Sequence, residues 1–253
     1  MTTGAIYPSL KGKTVLITGG GSGIGESIVR HFVAQGCKVG FLDIDRAASE
    51  ALVADLAPTG TVQFEHCDLR DISALRASID NIRTAFGPIE ILVNNAAHDQ
   101  RHKLEDVTPE YWDERIQVNL RHQFFAAQAV VPDMKASGSG VIINLGSISW
   151  MIGQGGMPAY SASKSAILGL TRSLSRDLGP FNIRVCSVVP GWIITQRQLD
   201  LWLTPEAEQE LLARQCLKRR LMPADIAKPV LFFASDEASG CTNQSYIVDG
   251  GWV

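Results

Sequence analysis

Lys13-Thr-Val-Leu-Ile-Thr18, followed by Gly19-Gly-Gly-Ser-Gly-Ile-Gly25, is the stretch on which the fold turns. Threonine, valine and isoleucine branch at Cβ and favour an extended chain, so the first part predicts a short strand. The glycines permit tight turns and a close approach of backbone to ligand. Residues 26–35 then carry the apolar spacing of an amphipathic helix. Strand, glycine loop and helix together form the setting in which free amides at a helix N-terminus meet a pyrophosphate. Gly19, Ser22, Gly23 and Ile24 are therefore candidate contacts to a dinucleotide.

Moving outward, short β-branched runs recur at 38–43, 61–67, 89–93, 141–145, 183–189 and 245–249, which with the first makes seven strands. Helical patterns lie between them: 71–86, stopped by Gly87-Pro88; a segment capped by Thr108 with Pro109 in its first turn, running toward Met134; and 225–235. Such alternation predicts a single α/β domain over 1–253, a doubly wound parallel sheet of seven strands flanked by helices. Residues 192–216 are polar and aromatic without a long core run, the composition of a lid.

The totals narrow the function classes. A chain of 253 residues that is 45% hydrophobic can bury a substantial core. Its net charge of -3 provides no basic field for nucleic acid or an anionic membrane, and Lys218-Arg-Arg220 is too short a run to make one. Cys37, Cys67, Cys186, Cys216 and Cys241 are dispersed and lack any Cys-x-x-Cys, which predicts free, mostly buried thiols in a reducing compartment. The stretch 1–10 lacks the pattern of a secretory signal and no run is apolar enough to span a bilayer, so a cytoplasmic protein is expected.

The second strand ends in Asp43, about 20 residues beyond the glycine loop, where a carboxylate accepts from ribose hydroxyls and repels a 2′-phosphate. That favours NAD, while Arg46 nearby leaves NADP open. Further on, Tyr160 and Lys164 are four apart in a helical pattern and share a face. An ammonium there is expected to lower the tyrosine pKa toward a useful base, and Ser147, at the end of a strand, offers a hydroxyl to a substrate oxygen. The polar loop His98-Asp-Gln-Arg-His-Lys103 follows the fourth strand at the ligand-binding edge of such sheets. His98 and His102 lack an evident third ligand, so no metal is expected.

Thr18-Gly19-x-x-x-Gly23-Ile24-Gly25, Asn94-Asn95-Ala96-Ala97, Ser147, Tyr160-x-x-x-Lys164 and Pro190-Gly191 together resemble the short-chain dehydrogenase/reductase family over essentially the whole chain. An alanine at 97 stands where the family has glycine. The resemblance implies a Rossmann-type fold, an NAD(P) cofactor and a homotetramer. It places Asp68 and the Leu69 backbone at the adenine, Asn95 and Ala96 against the cofactor, Lys164 on the nicotinamide ribose, and Pro190, Gly191, Ile193 and Thr195 near the carboxamide. It makes Tyr160 the general base, Ser147 the oxygen-orienting residue, and Asn119 the holder of a water linking Lys164 to solvent. An apolar end at Trp252 fits a subunit contact.

Within that family, Asp99-x-Arg-His-Lys-Leu, Tyr111-Trp-Asp-Glu-Arg-Ile, Asn119-Leu-Arg-His and Gly146-Ser-Ile-Ser-Trp150 look like bacterial aldose 1-dehydrogenases of the xylose and arabinose type. Trp150 and Trp192 can cover the C–H face of a sugar, and His98, Asp99, Ser149, Gln154 and Gln196 can address its hydroxyls, with Ser147 and Tyr160 at the reacting carbon. The resulting expectation is oxidation of a cyclic aldose at C1 to the lactone. Two alternatives remain open: reduction of a small ketone or 3-oxoacyl substrate, for whose phosphopantetheine carrier no basic patch is evident, and a nucleotide-sensing scaffold without turnover.

Overall fold

The computed structural model describes residues 4–253, so the first three residues of the N-terminal stretch lie outside it. Seven strands form one parallel sheet: β1 (Thr14–Thr18), β2 (Lys38–Asp43), β3 (Thr61–His66), β4 (Ile91–Asn94), β5 (Gly140–Leu145), β6 (Ile183–Pro190) and β7 (Ser245–Val248), in spatial order β3-β2-β1-β4-β5-β6-β7. The order reverses between β1 and β4, which pair from Val15↔Ile91 to Thr18↔Asn94. At that switch point the loops after the two strands diverge and leave a crevice.

The period of two along each strand divides the core between the faces. Val15, Ile17, Val39, Phe41, Ile91 and Val93 join one buried cluster, while the intervening Leu16, Leu42 and Leu92 join the other. Because both faces are covered, these strands read as continuous apolar runs rather than alternating ones. The helices that cover them are α1 (Gly23–Ala34), α2 (Arg46–Leu56), α3 (Ile72–Phe86), α4 (Pro109–Ile116), α5 (His122–Ser137) and α6 (Pro158–Leu178), then α7 (Gln196–Leu201), α8 (Pro205–Arg214) and α9 (Pro223–Ala234). Short polar side chains start several of them. Asp45 accepts from the Ala48 amide, Asp71 from Ser73 and Ala74, and Thr108 from Tyr111.

Three of these regions take a definite form. The segment 192–216 is an organised pair of helices, α7 and α8, started by Thr195 and Thr204 as caps. Trp252 lines the crevice, 6.0 Å from the Arg214 guanidinium. Exposed apolar side chains include Tyr246 and Ile247 on edge strand β7, and also residues elsewhere such as Trp112 and Phe124. Cys37, Cys67 and Cys186 are buried, but Cys216 is exposed. None of the helices described is long and apolar enough to cross a membrane.

Candidate active site

The crevice at the switch point has a volume of about 1040 Å³. One end is built by the β1–α1 loop. Gly19 and Gly23 adopt positive φ (67° and 57°), and a Cβ on Gly25 would lie 1.7 Å from the Gly19 carbonyl oxygen. Backbone thus fills the space that side chains would need, which is what a pyrophosphate cradle requires. Asn95 ties this loop to β4 by donating Nδ2 hydrogen bonds to the Thr18 and Gly19 carbonyls at 3.0 and 2.8 Å. Asp43 accepts from the Gly21 and Asp45 amides at 2.8 and 2.9 Å while lining the crevice. Ser22, Ile24, Asp68, Leu69, Ala96, Pro190, Gly191, Ile193 and Thr195 line it as well, so the sequence-derived cofactor positions all border one crevice. The residues present therefore fit a dinucleotide.

Asp68 is already bound. Arg70 forks onto both of its oxygens, with contacts of 2.6 to 3.0 Å that hold the carboxyl below its usual range. Arg70 also reaches Glu114 at 2.7 Å, an ion pair that sequence reasoning missed.

At the other end, β5 delivers Ser147 and α6 delivers Tyr160 and Lys164. Ser147 Oγ accepts from the Ser149 amide at 3.1 Å, and its hydroxyl acts on the Tyr160 phenol in the direction that favours the phenolate. Lys164 is 1% exposed, with its ammonium 5.6 Å from the Tyr160 ring centre and donating to the Leu145 carbonyl at 2.8 Å. The expected lowering of the tyrosine pKa is not realised in this crevice. The Tyr160 ring keeps an accessible edge, but protein packed round its hydroxyl pushes the phenol above its ordinary value, and nearby Asp99 adds to this. Burial also brings Lys164 down to about 7. Each group resists carrying a charge alone in such surroundings.

The buried lysine makes stability depend on pH in a defined direction. Between about 7 and the ordinary lysine value of 10.5, the unfolded chain holds a proton that the folded chain releases. Stability therefore rises with pH across that window, and the cost of burying the charge is fully felt below it. The Tm of Lys164→Met relative to wild type should improve by several degrees as pH falls from about 9 to about 6. Thermal melts across that range check this, and a pH-independent gap would remove Lys164 as the cause.

Asn119 sits in a π turn, Gln117–Arg121, between α4 and α5. Its Nδ2 donates to the Arg115 carbonyl at 2.9 Å, occupying the acceptor that an i→i−4 ladder would use, so the helix goes over to wider spacing here. Its Oδ1 accepts from the His98 amide at 2.8 Å, which anchors the polar loop. One turn on, His122 is fully buried, its ring nitrogens only weakly approached by the Gln117 and Val118 carbonyls. Burial and the Lys164 charge drive it down to about 3.

The substrate candidates divide. His98, Ser149, Gln154, Trp192 and Gln196 line the crevice, and the Ser149 Oγ is buried there without a partner. Trp150 is not among the lining residues. It is the third residue of a 3-10 turn, Ile148–Trp150, where successive side chains are splayed about 120° apart, and it points elsewhere. Asp99 is committed to the lid: Arg197 Nε and Gln198 Nε2 donate to its two oxygens at 3.0 and 2.9 Å. Gln198 Oε1 in turn accepts from the Trp192 indole at 2.8 Å, and Gln196 donates to Asp200 at 2.8 Å. Trp202 supplies an aromatic wall, 4.2 Å from the Arg101 guanidinium, that the sequence did not single out.

A doubly wound domain whose crevice joins a glycine cradle to a serine, tyrosine and lysine defines a class of nucleotide-dependent oxidoreductases. The chain belongs to the short-chain dehydrogenase/reductase family, whose members use NAD(P). A family model described as enoyl-(acyl carrier protein) reductase matches residues 19–253. The D-xylose 1-dehydrogenase of Caulobacter vibrioides is 52% identical over 250 residues, 98% of each chain. A "probable galactose dehydrogenase" of Rhizobium meliloti is 48% identical, covering 97% of this chain and 96% of its own. Among solved structures, a 7α-hydroxysteroid dehydrogenase complexed with NADH and 7-oxo glycochenodeoxycholic acid superposes with a TM-score of 0.92 at 33% identity, covering 97% and 96% of the two chains.

Proposed function

We propose that this protein oxidises a cyclic aldose, a pentose or related sugar, at C1 to the lactone with NAD. The observation that carries the reading is the substrate end of the crevice. There the Ser149 hydroxyl, buried without a partner, shares the lining with His98 and Gln154, which can address hydroxyls, and with Trp192, which can cover a C–H face. The two sugar dehydrogenases at 52% and 48% identity support the same substrate class. NAD is favoured over NADP because Asp43 puts a carboxylate where a 2′-phosphate would have to sit.

Bound in the crevice, the nicotinamide supplies the hydride acceptor. Ser147 orients the anomeric hydroxyl and stabilises the charge that develops on its oxygen. Tyr160 takes the hydroxyl proton. Its raised pKa is consistent with this role once Tyr160 and Lys164 are treated as a pair. A phenolate beside an ammonium has the same net charge as a phenol beside an amine, so shifting one proton within the pair avoids burying a lone charge. Asn119 holds the loop and the π turn in place beside that pair and lies where a water would carry the proton outward. We place subunit contacts of a homotetramer on the exposed β7 edge.

NADH absorbance across a panel of pentoses and hexoses, in parallel with NADP, secondary alcohols and 3-oxoacyl esters, tests the reading. Fast turnover of one sugar group with NAD is the expected result. Silence on every sugar with activity on a ketone would retain Tyr160 and Ser147 and discard the aldose assignment.

A further inference from the structure

Arg115 on α4 is only 6% exposed, and its neighbours fix nearly every direction in which it can donate. Glu114 Oε2 receives Nε at 3.1 Å and Nη2 at 2.5 Å, and the Tyr111 ring lies 5.2 Å from the guanidinium carbon. Glu114 is itself held by Arg70 at 2.7 Å, so the assembly is braced from a second element. The remaining Nη1 meets His98 Nδ1. A guanidinium has five N–H donors, no lone pair to offer, and does not deprotonate in proteins. His98 Nδ1 must therefore be the acceptor, and the proton of the neutral ring must reside on Nε2. The His98 backbone is pinned by Asn119 at both amide and carbonyl, 2.8 and 3.2 Å, so the ring is presented to the crevice at a fixed height.

We propose that Arg115 locks His98 in the Nε2–H tautomer and so makes His98 a neutral hydrogen-bond donor to an oxygen of the substrate, with Arg115 as the positioning residue. The contact to sugar rests on the aldose reading above, whereas the tautomer does not. The charges around the ring keep it neutral. Burial acts first, and Arg115 on α4 and Arg197 on α7 reinforce it, while Asp99 beside His98 and Glu114 on α4 pull the other way; the net effect is downward. A neutral donor suits a sugar hydroxyl or ring oxygen and gives no special advantage to a phosphorylated or carboxylated sugar.

The wild-type enzyme, labelled with 15N and compared with His98→Phe to assign the signal, should show an Nε2–H ring at neutral pH. An Nδ1–H ring would overturn the proposal outright. In Arg115→Met the ring loses its orienting partner as well as its tautomer lock, and KM for the sugar should rise about tenfold with kcat and KM for NAD little changed. The defect should be largest where the ring is neutral and shrink at the acid pH where its 15N signals show both nitrogens protonated, since that imidazolium donates from either side. A merely structural loss would not recover there, and a defect that persists with the ring shown to be doubly protonated would remove Arg115 from the positioning role. In the His98→Phe background, adding Arg115→Met should raise KM no further, whereas a further rise would separate the two residues. A wild-type enzyme with the Nε2–H signature but no turnover of any sugar would sink the aldose reading and the sugar contact while upholding the tautomer lock.

Discussion

Replacing Tyr160 by Phe is expected to lower kcat by about 10²- to 10⁴-fold while leaving cofactor affinity near that of wild type. The phenylalanine keeps the ring and loses only the hydroxyl, so the wall it contributes to the crevice persists. The proton acceptor that Ser147 faces does not. Cofactor affinity survives because the cradle at Gly19–Gly25 and the Asp43 carboxylate lie at the other end of the crevice. Titration of NADH fluorescence alongside steady-state kinetics separates the two effects. Oxidation by the wild-type enzyme should also accelerate as pH rises, since its base must be unprotonated and burial pushes Tyr160 upward. Turnover within tenfold of wild type in Tyr160→Phe would remove the residue from the chemistry.

Gly25→Ala should raise KM for the cofactor about 100-fold or more and lower Tm. The new methyl would lie 1.7 Å from the Gly19 oxygen and 2.7 Å from Asn95 Nδ2. The first of these is backbone, which cannot swing aside as a long side chain would. Relief requires moving the glycine loop, which breaks the Asn95 hydrogen bonds to Thr18 and Gly19 and spoils the cradle. Gly169→Ala is the control, because Gly169 sits exposed within α6 with nothing within 4 Å of a new Cβ. It should leave kinetics unchanged and stabilise by up to about 1 kcal/mol through helix propensity. Equal cofactor KM in the two variants would mean that the cradle tolerates a side chain and that its glycines serve only the turn.

What could be read from the sequence follows the range of the interactions involved. The glycine cradle, Asp43 and the Tyr160–Lys164 pair depend on neighbours within a few residues and on the strand ends that carry them, so spacing was sufficient. The doubly wound parallel sheet of seven strands followed from strands alternating with helices. The lid contacts could not be found that way, because Asp99 and Arg197 are 98 positions apart and meet only after folding. Arg115 and Glu114 carried no periodic signal, and on a helix two adjacent charges read as solvent-facing, although Arg115 is buried. Whether Trp150 lines the crevice depended on side-chain direction within a single 3-10 turn, which composition does not encode. Burial, which spacing does not reveal, is the first influence on the Tyr160 phenol and pushes its pKa up.

The six-residue helix α7 is fastened at two points with different consequences. Its cap, Thr195, sits where a Cβ on Gly23 would come within 3.1 Å, against the nucleotide loop, and its next turn grips Asp99 on the polar loop. The nucleotide loop and the polar loop thus lean on the same turn and a half of helix, and any energetic coupling between their ligands through it would be equal in both directions.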